Sequence, residues 1–404
     1  MIFKIKLHWQ ILIALIIAVV FGYFVPGWVS YISWMGVVFL RALNMVVVPL
    51  ILSSIISGVS SIGGGSNLGR LGFKTITFYI LTSFVAIITG LFFVNLFRPG
   101  TGANLGNAAT VSTPDVSNSA SDILIRVIPE NVIDAMAKGQ ILPVIFFAIL
   151  FGFFITQIQT EKQQLLTRFF DAVFEVMMKI TTFVIQFTPL GVFAIVAKEV
   201  AKNAGSLGNI AGSLGIYMLV VLIGLLVHGG IILPSLVKFL GKANPYKHFR
   251  NMATPLLTAF STSSSNAALP LSMVAVEEKD GVSGKITSFT LPLGATINMN
   301  GTALYECVAV IFIAQAYGID LTFSQQAIVV LTALLAAIGS AGIPMAGLVM
   351  MSIVLTAVNL PLEGIGLVLA VDRILDMSRT TINVWGDTCA AVIIAKSEGE
   401  TLKV

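Results

Sequence analysis

The sequence predicts an all-α membrane protein of eight transmembrane helices plus two re-entrant helical hairpins, arranged as inverted repeats. Three observations predict it. Of 404 residues, 56% are hydrophobic and 10% charged, with a mean hydropathy of +0.96, a balance hard to keep in solution. The apolar stretches are too many and too long for a signal peptide followed by a secreted domain. Lys and Arg also fall unevenly between the loops on the two sides of the expected spans.

The first span, near 10–27, follows Lys4 and Lys6 with no small-residue cleavage site, so it reads as an uncleaved helix. Further spans are expected near 30–60, 73–97, 122–157, 165–197, 210–237, 283–315 and 365–395, while segments 245–280 and 323–360 dip in and return. On this map fourteen of the 23 Lys and Arg lie on the side of both termini, and only Arg98, Lys198 and Lys202 lie on the other. The positive-inside rule makes the side of the termini cytoplasmic. Treating either dipping segment as a full crossing inverts everything after it and spoils the bias, so the charges themselves favour two hairpins. The polar 98–121 loop, with Asp115 its single acidic residue, reads as an extracellular connector. The net charge of +4 is a topology signal rather than a nucleic-acid footprint. Cys307 and Cys389 lie in apolar segments, which argues against a disulfide framework or a four-ligand metal site.

Polar residues inside apolar segments mark the candidate site. Asp372, Asp376, Arg379, Asn383 and Asp387 stand at offsets 0, 4, 7, 11 and 15, which at 100° per residue puts all five on one helical face. Each charge costs a few kcal/mol at a bilayer centre, so the face must line an enclosed, partly wet site that binds something charged. The serine run Ser261, Ser263, Ser264 and Ser265 is bracketed by apolar segments too short to cross alone. A loop is the simpler reading; a half-helix N-terminus whose hydroxyls and amides face a carboxylate is the sharper one. A serine nucleophile needs a base, and His8, His228 and His248 are not expected in a polar intramembrane cluster. Asn298-Met-Asn-Gly-Thr302 interrupts another apolar span, with Gly301 freeing the backbone from helical angles. A structural kink competes there with an all-oxygen cation cage of unwound carbonyls, Asn298 and Asp387. Segment 338–347 is too rich in Gly and Pro to be a continuous span, and is either a packing hinge or a gate. Asp376 and Arg379 either neutralise each other or separately take the ammonium and a carboxylate of an acidic amino acid.

Ser263-Ser-Ser265, Leu291-Pro-Leu-Gly-Ala-Thr-Ile-Asn-Met-Asn-Gly-Thr302, the 338–347 tip and Asp372-Arg-Ile-Leu-Asp-Met-Ser-Arg-Thr-Thr-Ile-Asn-Val-Trp-Gly-Asp387 resemble the dicarboxylate/amino acid:cation symporter family. That family includes archaeal aspartate transporters and animal excitatory amino-acid transporters, and the likeness covers essentially the whole chain. The resemblance implies a homotrimer with an elevator mechanism. Residues 1–72 and 122–205 would be scaffold, 73–100 and 206–404 the moving carrier, and 101–121 an extracellular loop. It implies substrate contacts from Ser263, Ser264, Ser265, Thr302, Ile343, Gly347, Asp376, Arg379, Thr380 and Asn383. One sodium ion would sit among Asp387, Asn383, Gly294 and Asn298, and a second among Thr296, Met299, Ala337, Ile338 and Ser340.

The family's third sodium site uses span-3 hydroxyls, matched here by Tyr79, Thr82 and Ser83 beside Asn298, together with an aspartate that is Asn300 in this sequence. Loss of a formal charge from a buried cation site weakens it by several kcal/mol, so fewer coupled sodium ions are expected, with proton coupling as the alternative. Ser263 stands where archaeal members carry an arginine, a guanidinium that Arg373 could supply, and Met345 replaces a usual glycine in the outer gate. The expectation is a multi-pass symporter of the prokaryotic inner membrane, both termini cytoplasmic, taking up aspartate or glutamate with Na+ or H+ and no organic cofactor or nucleic acid. C4-dicarboxylates and neutral amino acids are alternative substrates. A channel is the rival class; it needs a continuous polar path rather than one midplane cluster.

Overall fold

The computed structural model describes residues 7–60, 66–103, 128–138, 140–202, 207–338 and 346–404, and the described residues contain helices and turns with no strand. The chain runs through α1 (Leu7–Phe24), α2 (Val29–Ser60), α3 (Ser66–Phe97), α4 (Val132–Ala137), α5 (Ile141–Ile155), α6 (Thr160–Gln186), α7 (Thr188–Lys202) and α8 (Leu207–Val227). A π-helical turn, His228–Ile232, leads into α9 (Leu233–Phe239). Then follow α10 (Pro245–Asn251), α11 (Ala253–Thr262), α12 (Ser265–Ala275), α13 (Gly284–Ile297), α14 (Asn300–Ala316), α15 (Phe323–Ile338), α16 (Ala346–Ala357) and α17 (Ile365–Ser397).

Several expected spans are bent or broken, mostly where proline removes an amide and crowds the preceding turn. Between the first two spans the axis turns by 108° at Val25-Pro26. The expected 165–197 span bends by 50° at Phe187, between α6 and α7 and two residues before Pro189. Within the expected 122–157 span, α4 and α5 are separate helices, and residues before 128 lie outside the described set. Among the described residues three helical segments are long and apolar enough to cross a membrane, Arg70–Phe97, Ile210–Phe239 and Gly284–Ala316, or up to five if each of two bent pairs is one span.

The centre is α14, in which every residue from Asn300 to Ala314 is buried. It packs against α3, α8, α15, α16 and α17, so anything carried by α14 or the facing side of α17 is enclosed by protein. Helix α17 also receives both arms of the α11–α12 hairpin. That hairpin turns in two residues. Ser263 adopts left-handed φ 52°, ψ 38° and ends α11, and Ser264 then caps α12 by accepting a hydrogen bond from Ala267 N.

Candidate functional site

The predicted face of α17 is buried as a unit: Asp372, Asp376, Arg379, Thr380, Asn383 and Asp387 are each at most 5% exposed. Arg379 sits between carboxylates. Its Nε donates to Asp376 Oδ1 at 3.0 Å and its Nη1 to Asp372 Oδ1 at 3.1 Å. Nη2 lies 2.9 Å from Asp376 Oδ1 but makes no hydrogen bond among the described residues, so that edge of the fork keeps donors for a ligand. The guanidinium stacks on Tyr305 at 4.1 Å, and the Tyr305 hydroxyl donates to Asp372 at 2.7 Å. Gly347 backs directly onto this group: a Cβ there would lie 2.9 Å from Arg379 Cζ. The mutual neutralisation weighed for Asp376 and Arg379 is therefore present, with Asp372 as an additional partner.

The interruption of the α13–α14 span falls at Asn298 and Met299, whose ψ angles of 69° and 56° leave the helical region. Gly301 does not supply that freedom, because it is already helical; its role is close approach. A Cβ at Gly301 would meet the Arg379 carbonyl oxygen at 2.5 Å. The exposed amides of the new helix are taken by Asn383, whose Oδ1 accepts from Gly301 N at 2.8 Å and from Thr302 N at 3.4 Å. Its Nδ2 donates to Thr302 Oγ1 at 3.0 Å, with Met299 Sδ at 3.2 Å. Thr302 and Asn383 thus form one pair and Arg379 and Gly347 another, joined where Gly301 packs on the Arg379 backbone.

The serine tip divides. Arg373 Nη1 donates to Ser263 Oγ at 2.9 Å, which joins Arg373 to the position it was expected to complement. Ser264 caps its own helix, and Ser265 is buried at the start of α12.

A second cluster surrounds Asp387. Asn298 Nδ2 donates to Asp387 Oδ1 at 2.8 Å, and a Cβ at Gly294 would lie 2.5 Å from that oxygen and 2.8 Å from the Tyr79 hydroxyl. Ser83 donates to Asn300 Oδ1 at 2.6 Å. Asn298 Oδ1 and Asn300 Nδ2 are buried with no partner among the described residues. The orphaned acceptor and the nearby carboxylate suit a hard cation, whereas the orphaned donor does not. Other expected ligands are less engaged. The hydroxyls of Thr82 and Thr296 bond backbone within their own helices, at 2.8 Å and 3.0 Å. Met299 is buried in the break between α13 and α14, and Ala337 is buried near the end of α15. Ile338 ends α15, while Ser340, Ile343 and Met345 lie outside the described residues.

Two features escaped sequence reasoning. Glu306, one turn beyond Thr302, is 0% exposed and neither carboxyl oxygen has a partner among the described residues. A lone carboxyl in an apolar helix was a usable signal, the same one that marked α17. His248 does join a buried polar cluster, against expectation: its Nδ1 lies 2.6 Å from Asp280 Oδ2, and its ring stacks on Trp385 at 4.8 Å. Only closure of the hairpin brings positions 248 and 280 together.

A bundle of apolar helices encloses a bracketed guanidinium and a separate carboxylate–amide cluster, the arrangement in which a membrane protein keeps intramembrane charge away from lipid. Residues 7–397 match the model of the sodium:dicarboxylate symporter family. The chain is 36% identical over 410 residues to the proton/sodium-glutamate symport protein of Geobacillus stearothermophilus, covering 98% of this chain and 96% of that one. It is 36% identical over 414 residues to the proton/glutamate-aspartate symporter of Escherichia coli, covering 98% and 93%. To excitatory amino acid transporter 3 of Mus musculus it is 34% identical over 457 residues, covering 98% and 87%. The chain belongs to the sodium:dicarboxylate symporter family, and it is a transporter rather than an enzyme.

Proposed function

We propose that this chain is a symporter for aspartate or glutamate, driven by a monovalent cation gradient across the prokaryotic inner membrane. The observation that carries the reading is the Arg379 fork, buried, bracketed by Asp372 and Asp376, and closed over by Gly347. A substrate side-chain carboxylate competes with the two aspartates for the guanidinium, and Asp376, released from Arg379, takes the ammonium. Thr302 and Asn383 orient the substrate from α14 and α17, and the serine tip offers amides and hydroxyls to the remaining carboxylate. The relatives named for glutamate or aspartate support an acidic substrate over a neutral one.

The proposal includes eight spans with two re-entrant hairpins, cytoplasmic termini, a homotrimer, and an elevator motion of spans 3, 6, 7 and 8 with both hairpins. The Asp387 cluster is the sodium seat, with Asn383, Gly294 and Asn298 around it; a second seat uses Thr296, Met299, Ala337, Ile338 and Ser340. The third seat, at Tyr79, Thr82, Ser83, Asn298 and Asn300, is weakened, because the Asn300 amide turns a donor where a cation needs acceptors.

Proton coupling is the second reading, favoured by Glu306. An unpaired carboxyl in the protein interior is strongly disfavoured when ionised, so Glu306 is a place to carry a proton across beside the substrate. Relatives from Geobacillus stearothermophilus, Bacillus caldotenax and Bacillus subtilis are named for both ions, and one from Escherichia coli for protons. The test is uptake of radiolabelled L-aspartate into proteoliposomes under an inward sodium or an inward proton gradient at matched membrane potential. Sodium-driven uptake supports the Asp387 seat; uptake driven by protons alone, abolished in Glu306→Gln, moves the coupling to Glu306. Full aspartate uptake by Arg379→Cys would overturn the acidic-substrate assignment.

A further inference from the structure

Residues 398–404 form contacts that no transport step described above uses. The two arms of the α11–α12 hairpin meet at their base, where Asp280 accepts from Asn251 Nδ2 at 2.8 Å and faces His248 Nδ1 at 2.6 Å. The C-terminal segment lies across this junction. Lys403 N donates to the Asp280 carbonyl at 2.8 Å, and Lys403 Nζ donates to the Glu278 carbonyl at 2.9 Å, both on the returning arm. Lys247 Nζ, on the ingoing arm, donates to the Lys403 carbonyl at 2.6 Å. Gly281, at φ 80°, lets the segment come this close, since a Cβ there would lie 3.0 Å from Lys403 Cγ. Glu400 accepts from Ser283 N at 2.9 Å and from the Ser283 hydroxyl. Leu402 and Val404 pack on the cluster that holds Met252 and Leu256 of one arm and Ala275 and Val276 of the other. Glu398 ties the same segment to α3, at 2.6 Å from both Arg70 Nη2 and Lys74 Nζ.

We propose that residues 398–404 are a strap that holds the arms of the α11–α12 hairpin together at their base, with Glu400 anchoring the strap to Ser283 just beyond the returning arm. Prying the arms apart at their base breaks the Lys247, Lys403 and Asp280 contacts together, because the strap touches both arms. The part-buried Glu400–Ser283 pair anchors it more firmly than the exposed Arg70–Glu398 contact. The effect on uptake rests on the transport reading; the strap itself does not.

The test is hydrogen–deuterium exchange of the full-length protein in nanodiscs, read over 245–283, beside L-aspartate uptake. Glu400→Ala is expected to raise exchange in that segment about tenfold with α1 and α2 unchanged. Glu400→Gln, which keeps an acceptor for Ser283 N, is expected to restore most of the protection. In uptake, Glu400→Ala changes the maximal rate more than the external KM. Unchanged exchange in Glu400→Ala and in a protein lacking residues 399–404 would overturn the strap, and exchange raised throughout the molecule would reduce it to a general stabiliser. Exchange that responds as expected in a protein with no aspartate uptake would keep the strap and reject the substrate reading.

Discussion

Single atoms decide how much room the site has. At Gly294 any side chain displaces the Asp387 carboxylate, because the first added carbon would sit 2.5 Å from its Oδ1. Gly294→Ala is therefore expected to raise the half-saturating cation concentration for uptake ~10-fold or more while the protein still purifies as a folded particle. At Asn300 the change runs the other way. The amide nitrogen has no partner among the described residues, and replacing it with a carboxylate oxygen turns a donor into an acceptor beside Ser83 and Asn298. Asn300→Asp is expected to raise the sodium-to-aspartate flux ratio, measured with paired isotopes; an unchanged ratio rejects the weakened third seat. The Asn300 departure and the Asp387 carboxylate were both legible in the sequence, as residue types in place. What each amide accepts or donates was not, because an asparagine offers both and only its neighbours choose.

At the scale of the element, breaks in helices are stabilised by side chains from elsewhere. The π-helical turn His228–Ile232 runs into Pro234, which has no amide to give the Gly229 carbonyl, and Trp385 Nε1 of α17 donates to that carbonyl at 3.0 Å. Trp385→Phe leaves that buried acceptor unmatched and is expected to lower stability by about 1–3 kcal/mol, read as a drop in melting temperature. The end of α17 makes a pH prediction. The hydrogen bond from Lys74, reinforced by Arg70 and opposed by partial burial, holds the Glu398 carboxyl below its ordinary value of 4.5. A folded value below the unfolded one contributes stability above 4.5 that is lost as pH falls through the lowered value. Exchange protection where the tail meets α3 is thus expected to hold from neutral pH down to about 5 and to decline below it, and a decline already at neutral pH would refute this. Pro26 and Pro189 sit at the two bends as local signals that need no partner, although 165–197 is expected from the sequence as one continuous span. Pro234, five residues after Gly229, gave the same kind of signal at the π-helical turn, but not which partner replaces its missing amide, a tryptophan 156 positions away.

For the whole molecule, α14, buried from Asn300 to Ala314, and the charged face of α17 make one unit around which α3, α8 and the hairpin arms gather. The exposed positions of α6 are a different surface: Leu165, Phe169, Val176 and Phe183 recur at spacings of seven or four and are 55–68% exposed. That stripe faces either lipid or a second copy of the chain, and the proposed homotrimer predicts that native mass spectrometry from lipid particles gives three copies. The sequence by itself determined that the chain is helical and membrane-bound, and that Asp372, Asp376, Arg379, Asn383 and Asp387 share one face of one helix. Those properties follow from composition and from a fixed rotation per residue, which are local. Only the tertiary structure decided that Arg379 shares itself between two aspartates and the Tyr305 ring, that Asn298 rather than Asn383 meets Asp387, and that Glu306 has no partner among the described residues. Partners separated by dozens of positions are chosen by packing between helices, and periodicity along one helix carries no information about what faces it.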